Sequence, residues 1–514
     1  MKHCGIAIVS LVIFLAANLA TAAAMTPCEW LNAQPKPQFR EGHTLPRLTR
    51  YGWIDNVPAD ARIELCEHWG YAIQLGPYLS WKVVDDLLKK AENPKDGDPK
   101  LLAMCMAEPK KYPLCIVLSR DLPSTPDPWT HDAKGELVDG KKIWSPEAPR
   151  EVLEGAAELR AGPLRKLHEK LPVAIVLNGG EYALGVLGFA QKQWEQDPRI
   201  VAARGNKDWF AYISEKKGLM ESIIAEAVRK AAPDRALYIY YTAGGGTHRN
   251  RFDGWSQWAC GYEWMRTASD LPTNEYYYKH FNDGWTGDND MLTQALNSRA
   301  YELKFSVKFS YDWLCAGWVE EKPKPAPTPG ENPAALVDPT AGKLGDMARY
   351  TGFLKCLYTA GTIGGNAGYY AYPLGGFGVA FPEDKPPHWL QQAAALAHVH
   401  AFFSHQEQFV RNSDLLPGPN MHRWSKDQPG YEFPAGHKDT RVLARKLTGK
   451  PQWLITVWAA DGEAREVEIE VPELGKVALR ARPEGSVYLG ELKDGKAVLT
   501  LLDENGLCPT VKNK

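Results

Sequence analysis

From residue 47 onward, short β-rich runs alternate with stretches of 3.6-residue periodicity. Runs at 47–53 (RLTRYGW), 71–78 (YAIQLGPY), 112–119 (YPLCIVLS), 173–178 (VAIVLN) and 236–242 (ALYIYYT) read as the first five strands. Segments 275–282, 305–311 and 361–372 read as the sixth to eighth. Helical patterns fall between and after them, near 59–69, from 82, and over 146–170, 209–231, 290–302, 344–358 and 387–403. Strands that alternate with helices imply parallel pairing with the helices outside. Eight such units within residues 25–412 predict an α/β fold, a (β/α)8 TIM barrel with long insertions.

After Ser413 the pattern changes. Residues 413–439 are rich in Pro, Gly and polar turn formers and read as a connection. Within 440–514, alternating runs at 442–447, 453–459, 466–471, 477–481, 487–489 and 497–501 follow one another without a helix. Turns such as Asp461-Gly462 and Asp494-Gly495 separate some of them. This predicts a small C-terminal antiparallel β-sandwich. Its role is expected to be packing support, with carbohydrate binding as the rival.

The N-terminus has its own grammar. Lys2 and His3 precede a mostly apolar stretch, 6–20, and then the small residues Ala20, Thr21, Ala22, Ala23 and Ala24. This is the layout of a secretory signal, taken as residues 1–24. The stretch is short for a membrane span, and no later segment is long and apolar enough for one. A secreted or periplasmic protein without stable membrane insertion is expected. Beyond Cys4, eight cysteines remain, an even number that permits disulfides in an exported chain while leaving buried free thiols open. No C-x-x-C occurs, which disfavours a zinc or redox dithiol site.

Composition adds two points. The net charge of −2, without long runs of one sign, offers nothing to nucleic acid or an anionic membrane. The 18 Trp and 22 Tyr pair flat apolar faces with polar tips; they suit sugar rings or a large aromatic core.

A barrel of this kind carries its site at the C-terminal strand ends. There the sequence places Arg120, Asp121, His131 and Asp132 after the third strand, and Asn178 and Glu181 after the fourth. Glu263 lies in the loop beyond the fifth, and His280, Asn282, Asp283 and Trp285 in the sixth region. Asp312, Trp313, Trp318 and Glu320 follow the seventh strand, and Asn366 and Tyr370 belong to the eighth. Carboxylates, amides, His and Trp at one rim are what glycoside hydrolysis needs: one carboxylic acid protonates the leaving oxygen, and a second carboxylate attacks or activates water. Glu181 is the leading candidate, since Gly179 and Gly180 before it let backbone and ligand approach closely. Asp312 and Glu263 lead for the second carboxylate, with Glu320 and Glu275 behind them. Asn178, His131, Asp132, Trp285, Trp313, Trp318 and Asn366 are candidate substrate binders. The run Gly244-Gly245-Gly246 has no following Lys-Ser/Thr, and G-x-G-x-x-G, G-x-S-x-G and H-E-x-x-H are all missing. No cofactor is implied, and the 13 histidines are scattered, so no metal site is assigned.

On these residues the layout resembles the clan of retaining (β/α)8-barrel glycoside hydrolases that contains β-galactosidases, cellulases, mannanases and agarases. In that clan the acid/base glutamate ends strand 4 directly after an asparagine, and the nucleophile ends strand 7. The resemblance implies acid/base chemistry at Glu181 after Asn178, here with two glycines between them, and a nucleophile near Asp312. A C-terminal β-sandwich is common there. The expectation is a secreted glycoside hydrolase that cleaves O-glycosidic bonds in a polysaccharide or oligosaccharide by a two-carboxylate retaining mechanism. The alternatives are a non-catalytic carbohydrate-binding protein on a degenerate barrel and a metal-assisted hydrolase on the same fold.

Overall fold

The computed structural model describes residues 24–504, apart from 51–56, 77, 181, 186–189, 235–236, 242–259, 278–291, 293–294, 297–298, 300–301, 304, 316–317, 321–341, 345–346, 368–379, 384–385, 417–421, 424–430 and 433–439. Its central strands are β1 (Ile73–Gln74), β2 (Leu114–Val117), β3 (Val173–Gly179), β4 (Leu237–Tyr241), β5 (Glu275–Tyr277), β6 (Ser310–Cys315) and β7 (Thr362–Ala367). β1 to β4 form one parallel sheet in chain order, and β5, β6 and β7 form a second, also parallel. Segment 48–49 runs between them: Leu48 bridges Tyr71 and Thr49 bridges Asn366, both parallel. At the other side, Asp270 N donates to Tyr238 O at 2.9 Å, while Pro272 O accepts from Tyr311 N at 3.0 Å. The chain at 270–272 thus connects β4 to β6 by hydrogen bonds.

The strands are short and buried on both faces, as suits parallel pairing. Ala72, Cys115, Val117, Ile175, Leu177, Ile239, Tyr311 and Trp313 cluster on one face. The intervening Ile73, Leu114, Ile116, Val176, Tyr238 and Tyr240 pack on the opposite face against the helices. We refer to these as the inner and helix-side faces.

The helices include α1 (Ala59–His68), α2 (Trp81–Ala91), α3 (Gly97–Ala107), α4 (Arg150–His168), α5 (Trp209–Ala231), α6 (Met347–Ala360) and α7 (His388–His405). Their starts follow local chemistry. Ser80 caps α2 by accepting from Val83 N, and the Asp208 carboxylate accepts from Phe210 N and Ala211 N to start α5. α5 buries Ile213, Met220, Ile224 and Val228 along one stripe, with Arg229 and Lys230 in the last turn, where cations suit the helix dipole. α5 packs along α4, the longest other helix of this half. Helix α3 has no counterpart in the sequence reading, because its start at Gly97-Asp98-Pro99 reads as a turn.

The C-terminal part is antiparallel. Strands β8 (Ser413–Leu415), β9 (Thr440–Leu447), β10 (Gln452–Ala459), β13 (Ser486–Lys493) and β14 (Lys496–Leu501) pair in that order, and β11 (Arg465–Val471) and β12 (Gly475–Ala481) form a separate hairpin. The hairpin packs Ile469, Val471, Val477 and Leu479 onto Val442, Ile455 and Val457 of the sheet. The opposite face of the sheet, with Leu443, Leu454, Trp458 and Val487, joins Phe353, Leu357, Phe403 and Phe409 in one core. A Cβ on Gly352 would strike the Trp458 indole, so only glycine lets α6 approach β10 this closely. Between the two parts, Lys355 Nζ lies 2.5 Å from Asp503 Oδ2 with both side chains buried, and donates to Gly485 O at 3.0 Å.

Cys28, Cys66, Cys105, Cys115, Cys260 and Cys356 are free thiols; the side chain of Cys315 and all of Cys508 lie outside the described residues. Among the described residues, no helix is long and apolar enough to cross a membrane.

Candidate active site

β3 ends on Asn178 and Gly179, and Gly180 follows. Alternation sets Gly179 on the inner face with Ile175 and Leu177. Over it lies the Arg120 guanidinium, carried by the segment after β2. A Cβ on Gly179 would stand 3.1 Å from Arg120 Nη2 and 3.4 Å from Nε. Tyr78, exposed after β1, offers its ring 5.3 Å from the same guanidinium. The first glycine therefore admits a cation to the mouth of the strands. The second opens a tight turn: Tyr182 N donates to Gly180 O at 2.9 Å and Gly185 N to Tyr182 O at 2.9 Å, with Ala183 at φ 50°. Glu181, the leading catalytic candidate, lies outside the described residues, although its chain neighbours on both sides are placed.

Asn178 faces the other way. Its side chain is fully buried on the helix side, and Nδ2 lies 3.1 Å from the Tyr182 hydroxyl, 2.9 Å from the Tyr238 hydroxyl and 3.2 Å from Glu221 Oε2. Tyr182 OH donates to the same Glu221 oxygen at 2.8 Å. Glu221 Oε1 pairs with Lys217 Nζ at 3.0 Å, and neither side chain has any exposure. Lys217 also donates to Tyr182 O at 3.0 Å and sits 4.0 Å from the centre of the Tyr182 ring. Arg160 of α4 approaches that ring to 4.5 Å. Burial pulls the Lys217 ammonium down from its ordinary value, and Glu221 opposes that shift; burial pushes the Tyr182 and Tyr238 hydroxyls up. The expectation that Asn178 reaches substrate at the rim is therefore corrected to a place between sheet and helix.

Asp312 is likewise not at a strand tip. Strand β6 starts at Ser310, not at 305, because the chain turns at 305–306, where Ser306 has φ 60°. Asp312 is then mid-strand, on the helix side, with no exposure. Its carboxylate accepts from Ser310 Oγ at 2.5 Å, Thr362 Oγ1 at 2.7 Å and Asn274 N at 3.2 Å. Burial pushes this carboxyl up, and Arg299 opposes it. Arg299 also pairs with Glu302, whose other oxygen accepts from Asn274 Nδ2 at 2.8 Å. Trp313, next in chain, turns inward. The register pairs it with Asn366 on one side and Glu275 on the other, and Asn366 in turn bridges Thr49. Trp313 and Asn366 are thus brought together in one row of the sheet.

The remaining candidates are apart from that row. Glu263 is exposed and accepts from Ser214 Oγ of α5 at 3.2 Å, on the helix layer. His131 Nε2 lies 2.9 Å from Asp127 Oδ2, and its backbone N donates to Asp197. Asp132 organises its own loop, accepting from Lys134 N at 2.8 Å and Glu136 N at 3.0 Å, and these bonds hold its carboxyl below the usual range. Trp285 and the side chain of Trp318 lie outside the described residues; the Trp318 backbone pairs antiparallel with Leu344. Among the described residues, no group of three or more His, Cys, Asp or Glu side chains is placed to hold a metal ion. Lys217, Glu221, Tyr182 and Tyr238 were not singled out from sequence. The available signal was an i,i+4 Lys–Glu pair inside the apolar stripe of α5.

No family model matches the chain, and no curated protein does. Among solved structures it resembles an Anoxybacillus α-amylase (9% identity, TM-score 0.37, 87% of this chain and 98% of that one). It also resembles a GH30 endoxylanase from Clostridium papyrosolvens (10%, 0.38, 91% and 97%) and the GH36 α-galactosidase of Geobacillus stearothermophilus (11%, 0.40, 92% and 57%). These are glycoside hydrolases, and no one family among them is singled out. Likeness at this level leaves fold and activity to be argued from the chain's own residues.

Proposed function

We propose that the chain is an exported glycoside hydrolase whose parallel strands close a (β/α)8 barrel, with Glu181 as the general acid/base. The observation that supports this reading is the end of β3, where Gly179 lets a guanidinium close to the inner rim and Gly180 leads directly into a glutamate. Bonds from segment 48–49 and from 270–272 link the two parallel sheets at both sides, as closure requires.

In this reading Glu181 protonates the glycosidic oxygen as the bond to the anomeric carbon breaks. A second carboxylate attacks that carbon, and water then releases the sugar with Glu181 acting as base, which is retention. Asp312 and Glu263 suit the second role poorly, one sealed on the helix side and the other on the helix layer. That leaves Glu275 from the sequence candidates, whose backbone pairs in register with Trp313 and whose side chain lies outside the described residues. The leader at 1–24 accounts for export.

The test is a panel of polysaccharides and chromogenic glycosides, with wild type beside Glu181→Gln. Hydrolysis by the wild type that falls by about 10²–10⁴ in the variant is the expected result. Hydrolysis by both at equal rates, or binding of sugar without turnover by the wild type, would overturn the assignment.

A further inference from the structure

The Lys217–Glu221 pair has no part in the chemistry just described, yet both side chains are wholly buried. Removing two charges from water is unfavourable by several kcal/mol for each ion. Apolar side chains would join α5 to the sheet at lower free energy, as Met220 and Ile224 of the same helix do. What the pair does that methylenes cannot is grip specific polar atoms. It grips the two residues that bracket Glu181. Glu221 Oε2 takes Asn178 Nδ2 at 3.2 Å and Tyr182 OH at 2.8 Å, three positions before and one after. Lys217 takes the Tyr182 carbonyl at 3.0 Å and lies over its ring. That carbonyl is also the acceptor for Gly185 N, so one backbone oxygen ties the turn to itself and to α5. With glycine at both 179 and 180, the turn has little intrinsic stiffness. Something outside it must fix its course.

We infer that Lys217 and Glu221 are positioning residues, a buried ion pair on α5 that fixes the chain on both sides of Glu181, at Asn178 and at Tyr182. This rests on the acid/base reading of Glu181 for its catalytic consequence, but the grip on the turn can be measured without any activity.

The test uses the full chain with Glu221→Gln, which keeps the shape of the side chain, and Tyr182→Phe, which removes one hydroxyl. Hydrogen exchange read by mass spectrometry at 180–185 is expected to speed up at least tenfold in both variants, while 173–177 in β3 stays as protected as in wild type. On a substrate found by the panel, kcat should fall at least tenfold with KM within about twofold. The limb of the pH–rate profile that reports Glu181 should also move, which a loss of folded protein alone would not cause. If exchange at 180–185 is unchanged in both folded variants, the inference is wrong, whatever the activity. If exchange rises but kcat and the pH profile stay as in wild type, the positioning role is wrong although the grip is real. If the wild type hydrolyses nothing, the acid/base reading falls by itself, and the exchange comparison alone decides whether the pair holds the turn.

Discussion

Replacing Asp312 separates its two possible roles. The carboxylate is fully buried and receives three hydrogen bonds, from Ser310 Oγ, Thr362 Oγ1 and Asn274 N, with Arg299 as the nearby countercharge. Asp312→Ala would strand those donors and remove a buried carboxylate close to Arg299. A buried donor without a partner costs about 1–3 kcal/mol, and breaking a buried charge pair about 3–5 kcal/mol. The effects overlap because the groups form one network, so a loss of about 3–5 kcal/mol is expected in all. Asp312→Asn keeps the volume and one acceptor oxygen, and should cost about half as much. The assay is urea unfolding followed by tryptophan fluorescence and circular dichroism, with hydrolysis measured per mole of folded protein. The midpoint should drop in the order wild type, Asn, Ala, and the folded fraction of Asp312→Asn should retain turnover. An Asp312→Asn variant with the wild-type midpoint and no turnover would refute this reasoning and restore Asp312 as a nucleophile.

Other perturbations test separate parts of the structure. Burial pushes Glu302 up to about 7, so its contribution to stability is complete below about pH 4.5 and is lost as pH rises through 7. Between those limits wild type should lose up to about 3 kcal/mol relative to Glu302→Gln, read from denaturant midpoints at several pH values. His400 acts in the opposite direction: Nδ1 accepts from Tyr358 OH at 2.8 Å, Nε2–H donates to Pro46 O at 3.0 Å, and burial holds the ring down to about 3. Its contribution is present above pH 6.5 and fades as acid is added, and its nitrogen resonances should show a neutral ring at pH 5; a protonated ring in the folded protein would contradict this. Lys355→Met should lower stability by about 3–5 kcal/mol, and adding Asp503→Asn should recover part of that, since the buried carboxylate that has lost Lys355 is then neutral, although Arg482 at 3.2 Å remains beside it. A double-variant loss equal to the sum of the losses in Lys355→Met and Asp503→Asn alone would show the two side chains to be uncoupled.

The order of elements was legible because each strand is a compact β-rich run between helical patterns. Face and register were harder to read. VAIVLN in β3 is apolar at nearly every position, since a parallel strand is buried on both sides, so the alternation that would show where Asn178 points is missing. A similar difficulty displaced Asp312. FSVKF at 305–309 alternates like a strand, but the chain turns there and β6 starts only at Ser310. That moves Asp312 from a tip to mid-strand. Gly179 and Gly180 read as room for a ligand beside the backbone. What approaches Gly179 is an arginine of the same chain, and such a pairing between separate loops is set by tertiary packing rather than by local sequence.

The sheet formed by β8, β9, β10, β13 and β14 has one face covered by its own hairpin and the other by α6 and α7. A gene fusion that borrowed 440–504 would carry Leu443, Leu454 and Trp458 into water, and a chain stopped at 439 would bare Phe353 and Phe403 in turn. Neither piece is a portable module. Cutting within 413–439 should yield fragments that stay associated.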